Sequence, residues 1–95
     1  MVEKADILKE LSQVVDPEVG VPITEMNLVD EISIQDGNIS VAFHLTAQFC
    51  PPMFALAIAQ DIKRRVSNLP GVAKVRVNMT NHFMAEEVNK RVNVD

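Results

Sequence analysis

The sequence predicts an α/β two-layer sandwich of the α+β kind, with a small mixed sheet and two helices on one face. Three observations predict it. Residues 28–35, 39–46 and 72–80 alternate apolar with polar residues. Residues 3–15, and the run that starts at Pro51, repeat apolar residues at helical spacing instead. The resulting order is α-β-β-α-β, and each strand has one apolar row, so both helices must cover the same sheet face.

The first helix is expected over 3–15. Ile7, Leu8, Leu11, Val14 and Val15 share a face, with Glu3, Lys4, Lys9 and Glu10 opposite. Asp16-Pro17 closes it, because the residue before a proline is driven out of the α region. Residues 17–27, "PEVGVPITEMN", form a loop with two prolines and a glycine. Ordered loops of that length in a small domain are often functional.

Leu28, Ile32 and Ile34 make the apolar row of the first strand, which Asp30 interrupts. "DGN" at 36–38 is a turn signal, and Ile39, Val41, Phe43 and Leu45 make the next row. Together they predict a β-hairpin. In the second helix Phe54, Ala55, Ile58, Ala59, Ile62 and Val66 line one face, and Lys63, Arg64 and Arg65 suit the negative end of the dipole. "NLPGV" at 68–72 breaks this helix, and Val75, Val77 and Met79 form the last apolar row. A strand–helix–strand unit of this kind makes strands two and three parallel, with a right-handed crossover. The tail, "NHFMAEEVNKRVNVD", has room for a short helix near 85–91.

The 95 residues make one domain, 1–95. Hydrophobic residues are 47% of the chain and its four aromatics are all Phe, so the core is aliphatic. The net charge of −4 argues against nucleic-acid binding, which favours basic patches. No apolar run reaches membrane-spanning length, and "MVEKADILKE" lacks the apolar stretch of a signal peptide. One cysteine cannot form an internal disulfide. The expected compartment is the cytoplasm.

That cysteine, Cys50, stands between a strand and a helix, in "HLTAQFCPPMFALAIAQDIKRR". With Pro51 at the first helical position, Cys50 would occupy the N-cap. Free N–H groups and the positive end of the macrodipole would lower its pKa there. The plain alternative is a small apolar residue buried at a junction, since free cysteines are often buried. Thr46 shares a strand face with His44 by alternation and lies four residues before Cys50, near enough across a tight loop to approach the thiol. Asp16 and Glu18 bracket Pro17 and read either as turn chemistry or as carboxylates beside the thiol. His44 reads as a sheet-surface residue, His82 as a solvated loop residue and Lys63-Arg64-Arg65 as a solvated helix end. CxxC, Gly-rich phosphate loop, GxSxG and HExxH motifs are all absent. One cysteine cannot by itself complete a zinc site or hold a four-thiolate cluster.

The stretches "DPEVGVPITEMNLV" (16–29), "TAQFCP" (46–51) and "LPGVAKVRV" (69–77) together resemble the MIP18 family, formerly DUF59, whose relatives include SufT-type and PaaD-type proteins. The resemblance spans roughly residues 5–80. The D-P-E motif followed by T-x-x-x-C-P carries its specificity. It implies a small α/β domain and a functional site at Asp16, Glu18, Thr46 and Cys50. Two positions depart from the family pattern: Asn27 replaces a usual Gly, and Phe49 stands where Gly is common before the cysteine. Asn tolerates positive φ, so the turn at 27 can survive. Phe49 would narrow the approach to the thiol.

The resemblance further implies an iron–sulfur cluster assembly, maturation or carrier factor rather than an enzyme. Cys50 would lend one thiolate to iron or to a transient iron–sulfur cluster, shared across a homodimer, with a partner, or with a small thiol. The implied partners are iron–sulfur client or assembly proteins. Two other readings stand beside this one. In one, the chain is a non-catalytic partner-binding subunit of a multicomponent system, as in phenylacetate degradation (PaaD-like). In the other it is a thiol-dependent enzyme, although no residue set completes a nucleophile–base pair.

Overall fold

Two consecutive residues with left-handed backbone start the sheet. Asp36 (φ 51) and Gly37 (φ 83) give the twist of a type I′ turn, which matches a right-twisting hairpin. The computed structural model describes residues 2–17, 19–45 and 51–93. In it this turn joins β1 (Val29–Gln35) to β2 (Asn38–His44), which pair antiparallel with Ile32 opposite Val41 and Ile34 opposite Ile39. A Cβ on Gly37 would lie 2.9 Å from the Gly71 carbonyl oxygen, so this turn must be glycine for space as well as for φ.

The chain then passes through α2 (Pro52–Ser67) to β3 (Lys74–Thr80). β3 runs parallel to β2, with Ile39 opposite Val75 and Phe43 opposite Met79. The sheet order is β1-β2-β3, so β2 is central. Ile39, Val41, Phe43, Val75, Val77 and Met79 are buried on one face. Ala55, Ile58, Ala59, Ile62 and Val66 of α2 are buried in the same core, as are Ile7 and Leu11 of α1 (Lys4–Leu11). The α+β sandwich and mixed sheet are as the alternation and helical spacing predict.

Helix α1 stops four residues short of its expected end. The Ser12 hydroxyl donates to the Lys9 carbonyl (2.5 Å), and the Gln13 and Val14 N–H groups reach back only three residues. Such local bonds compete with the helical ladder. Beyond them the Val14 carbonyl accepts from the Ile23 N–H (2.9 Å), and Val15 bridges Pro22. Val14 is buried, as its spacing suggests, but lies outside the helix; Val15, 43% exposed, is the residue in the extended bridge. β-Branched residues accept that conformation readily.

Asp30, which interrupts the apolar row of β1, is the extra residue of a β-bulge. Val29 pairs with Phe43 and Glu31 with Ala42, so two steps on β1 match one on β2. The bulge brings Ile32 and Ile34 back into register with the buried row of β2.

The tail forms a third helix, α3 (Ala85–Val92), adding to the α-β-β-α-β order. It packs on α2 and β3 and buries Val88 and Val92. Its asparagines do more. Asn93 Oδ1 accepts from the Val77 N–H (2.9 Å) while its Nδ2 donates to the Val77 carbonyl (2.8 Å). One turn earlier, Asn89 accepts from the Met79 N–H (2.7 Å) and donates to the Met79 carbonyl (3.0 Å). These side chains at i and i+4 stand in for a fourth strand along β3. The Lys63 ammonium group, expected in a solvated helix end, instead donates to the Val92 carbonyl (2.8 Å) and ties α2 to the end of α3. Arg64 and Arg65 both engage Asp61.

Asn93→Ala would strand the amide and carbonyl of Val77 at a partly buried edge. We expect a loss of about 1–3 kcal/mol in urea-unfolding stability, with faster amide exchange at Val77. Asn89→Ala should do the same at Met79.

Candidate functional site

The loop that carries the D-P-E motif is built on its own backbone. The Asp16 N–H donates to the Val21 carbonyl (3.0 Å), and the Asp16 carbonyl accepts from the Gly20 (2.7 Å) and Val19 (3.3 Å) N–H groups. Gly20 closes this turn at φ 78. Asp16 is 3% exposed, so it is held inside the loop rather than presented as a solvated turn residue. On its outer side, Val15 and Pro17 face Ala57, Ile58, Asp61 and Arg64 of α2 across an open cleft of about 500 Å³.

The second half of the loop ends in a Schellman-type turn. The Leu28 N–H donates to the Ile23 carbonyl (3.1 Å) and the Asn27 N–H to the Thr24 carbonyl (3.4 Å). Asn27 is the left-handed residue of that turn, at φ 58, and the flanking Ile23 and Leu28 are buried. This explains why glycine suits the position and why asparagine can replace it.

Helix α2 starts one residue later than expected. Pro51, not Cys50, is the N-cap (φ −52, ψ 133), and Pro52 takes the first helical position. The cause is the Pro-Pro pair: Pro52 keeps Pro51 out of the α region, while its own fixed φ suits the first turn. Cys50 therefore stands one residue before the cap in sequence. Neither proline has an N–H, and the Phe54 N–H already donates to the Pro51 carbonyl (3.0 Å). Fewer free donors gather at this helix start than the sequence reading assumed. Cys50, Thr46 and Glu18 themselves, and Phe49 with them, lie outside the described residues. Of the four expected site residues, Asp16 is the one described.

The linker 45–51 leaves the carboxyl end of β2, which lies beside the carboxyl end of β3, with His44 opposite Thr80. In open α/β sheets this is the end at which ligands collect. Two histidines flank it. His44 is half-buried on the sheet surface, and its Nδ1 lies 2.9 Å from the carboxylate of Asp30, the bulge residue. The pairing was not legible in sequence, because a bulge re-aims a side chain without leaving a motif. His82 is buried, contrary to its reading as a solvated residue. Its Nδ1 accepts from the Met84 N–H (2.9 Å), its carbonyl accepts from the Ala85 N–H (3.1 Å), and its ring stacks on Phe83. It thereby caps the start of α3. Among the described residues no three His, Cys, Asp or Glu side chains form a metal-binding group.

In the first turn of α2 Met53 is 70% exposed, and just ahead of α3 Phe83 is 57% exposed. Pro52, Met53, Leu56, Met84 and Val88 line a largely apolar groove of about 270 Å³ between α2 and α3.

Residues 4–79 match the family model described as iron-sulfur cluster assembly protein. The chain belongs to that family. It is the MIP18 (DUF59) family that the D-P-E and T-x-x-x-C-P motifs resemble. Among curated relatives, the iron-sulfur cluster carrier protein of Mycobacterium leprae is 34% identical over 80% of this chain, which spans 20% of that protein. The Fe-S protein maturation auxiliary factor of Bacillus subtilis is 35% identical over 80% of this chain and 74% of its own length. A crystal structure of a DUF59 domain from Bacillus anthracis superposes with a TM-score of 0.74 at 30% identity, covering 81% of this chain and 73% of that one. The chain therefore spans about a fifth of the carrier and about three-quarters of the auxiliary factor.

Asn27→Gly should leave stability unchanged or raise it slightly, whereas Asn27→Ala should cost about 1–2 kcal/mol for the left-handed backbone. Thermal or urea unfolding of the two variants checks this.

Proposed function

We propose that this protein is an iron–sulfur cluster maturation or carrier factor that holds its cargo, iron or a transient cluster, through the Cys50 thiolate. The observation that carries the reading is family membership combined with retention of the T-x-x-x-C-P motif just ahead of α2. Relatives bearing carrier and maturation-factor names share this domain, whether nearly alone or as a fifth of a longer chain.

The physical support is the position of the linker. It joins the carboxyl end of β2 to the positive end of a 16-residue helix. Such a dipole favours a thiolate over a thiol. With two prolines at the helix start, that help comes from the dipole more than from direct N–H bonds. Asp16, Glu18 and Thr46 are proposed as the polar neighbours that tune the thiol or hydrogen-bond the cargo. One thiolate leaves iron undersaturated, so the remaining ligands come from a second copy, an assembly or client protein, or a small thiol. Labile attachment of this kind suits a factor that hands its cargo on. The role is that of an accessory factor without turnover of its own, in the cytoplasm.

The exposed Met53 and Phe83 support a second reading, a partner-binding subunit in which the motif is structural. Methionine-rich surfaces adapt to partners.

Anaerobic reconstitution with iron, sulfide and a small thiol separates the two. Wild type should develop cluster absorption in the visible range, and Cys50→Ala should lose it while keeping its fold. Equal spectra from both proteins would remove Cys50 from the cargo site. Capture of the same client by Cys50→Ser and by wild type, with no cluster in either, would favour the second reading. A Cys50 pKa near the free value of about 8.5 would exclude an activated thiol, and with it the thiol-enzyme alternative.

A further inference from the structure

The two edges of the sheet are treated differently. β3 is closed by the Asn89 and Asn93 amides. β1 is the opposite edge, and among the described residues no strand pairs with its outer side. About half of the N–H and C=O groups of an edge strand point away from the sheet, ready to pair with an added strand.

We propose that the outer edge of β1 docks an extended segment of a partner protein, one that alternates apolar with basic residues. The strand chemistry follows from the open backbone groups. Beyond the bulge at Asp30, residues 31–35 pair regularly with β2, and neither proline nor lysine blunts them. The apolar half of the pattern follows from the core side. Ile32 and Ile34 face the buried row of β2 yet are only half-buried, and Leu8 of α1 is exposed. Leu8 and Ile32 line a cleft of about 260 Å³ beside β1. Alternate side chains of an added strand would cover this strip. The basic half follows from the other face, where Glu31 and Gln35 are exposed, and from Asp36 at the turn. A second copy would bring the same acidic strand and a further net charge of −4 to this edge. Charge therefore favours a basic partner over self-pairing. This docking does not depend on the iron–sulfur reading, and it places partner binding on a different surface from the start of α2.

The test uses the full chain, labelled for NMR, and a capped peptide alternating valine with lysine as probe. Amides of residues 31–35 should shift and gain exchange protection, while those of Val77 and Met79, already held by asparagines, should not. The same peptide N-methylated along one edge should not bind. Glu31→Lys, an exposed change that leaves the core intact, should weaken binding by roughly fivefold, and raised salt should weaken it further. A valine–glutamate peptide should bind less well than the valine–lysine one. The proposal is overturned if the shifts avoid residues 31–35, if the N-methylated peptide binds equally, or if both charge patterns bind alike. It is also overturned if light scattering shows a dimer that protects residues 31–35 without peptide, which would give the edge to a second copy.

Discussion

Parallel pairing of β2 with β3 is the constraint from which most of this architecture follows. Parallel neighbours cannot be joined by a tight turn, so the chain must leave the carboxyl end of β2, cross one sheet face and return. Helix α2 makes that crossing, and its buried stripe of alanines, isoleucines and a valine is the other half of the core. The same geometry fixes where β2 ends and where the positive end of α2 begins. Among the described residues the sheet has three strands, with β1 and β3 as edges.

A three-stranded sheet has little protection of its own, so the treatment of its edges matters. α3 is a short helix with a strongly polar outer face, and it would not hold on propensity alone. It is kept by Val88 and Val92 in the core, by Lys63 on the Val92 carbonyl, and by two asparagine amides bonded to β3. A side-chain amide offers a donor and an acceptor at nearly the spacing of a peptide group, which is why asparagine can imitate a strand. At the other edge the bulge at Asp30 disturbs only the start of β1. The remainder keeps the regular geometry that strand addition needs.

Periodicity made the fold legible because burial follows it. The rows Ile39-Val41-Phe43 and Val75-Val77-Met79 and the α2 stripe are all in the core. The "DGN" signal gave the turn because only a few residues accept two positive φ values in succession. What periodicity could not give was backbone conformation where apolar spacing suits helix and extended chain alike, as at Val15. Nor could it give the roles of Asp30, Asn89, Asn93 and His82, each of which acts through a partner distant in sequence or through an irregular backbone. At the candidate site, the legible part was the left-handed tolerance of Asn27, whereas the burial of Asp16 was not, since a D-P pair reads equally as an ordinary turn. The proline pair was read one residue out of place, because two prolines compete for the first helical position and the second one takes it.

That shift of one residue changes the chemistry expected of Cys50. An N-cap thiolate would accept hydrogen bonds from first-turn amides, a strong and directional stabilisation. One residue further out, with prolines at the cap and first position, the support we propose for the thiolate is the field of the helix, worth roughly 0.3–1 kcal/mol near a surface. The role we propose for Cys50 is that of a soft ligand rather than of a strongly activated nucleophile. A modest stabilisation of that kind suits a residue proposed to bind a metal–sulfur cargo and also to release it. It suits much less well a residue that must attack a substrate.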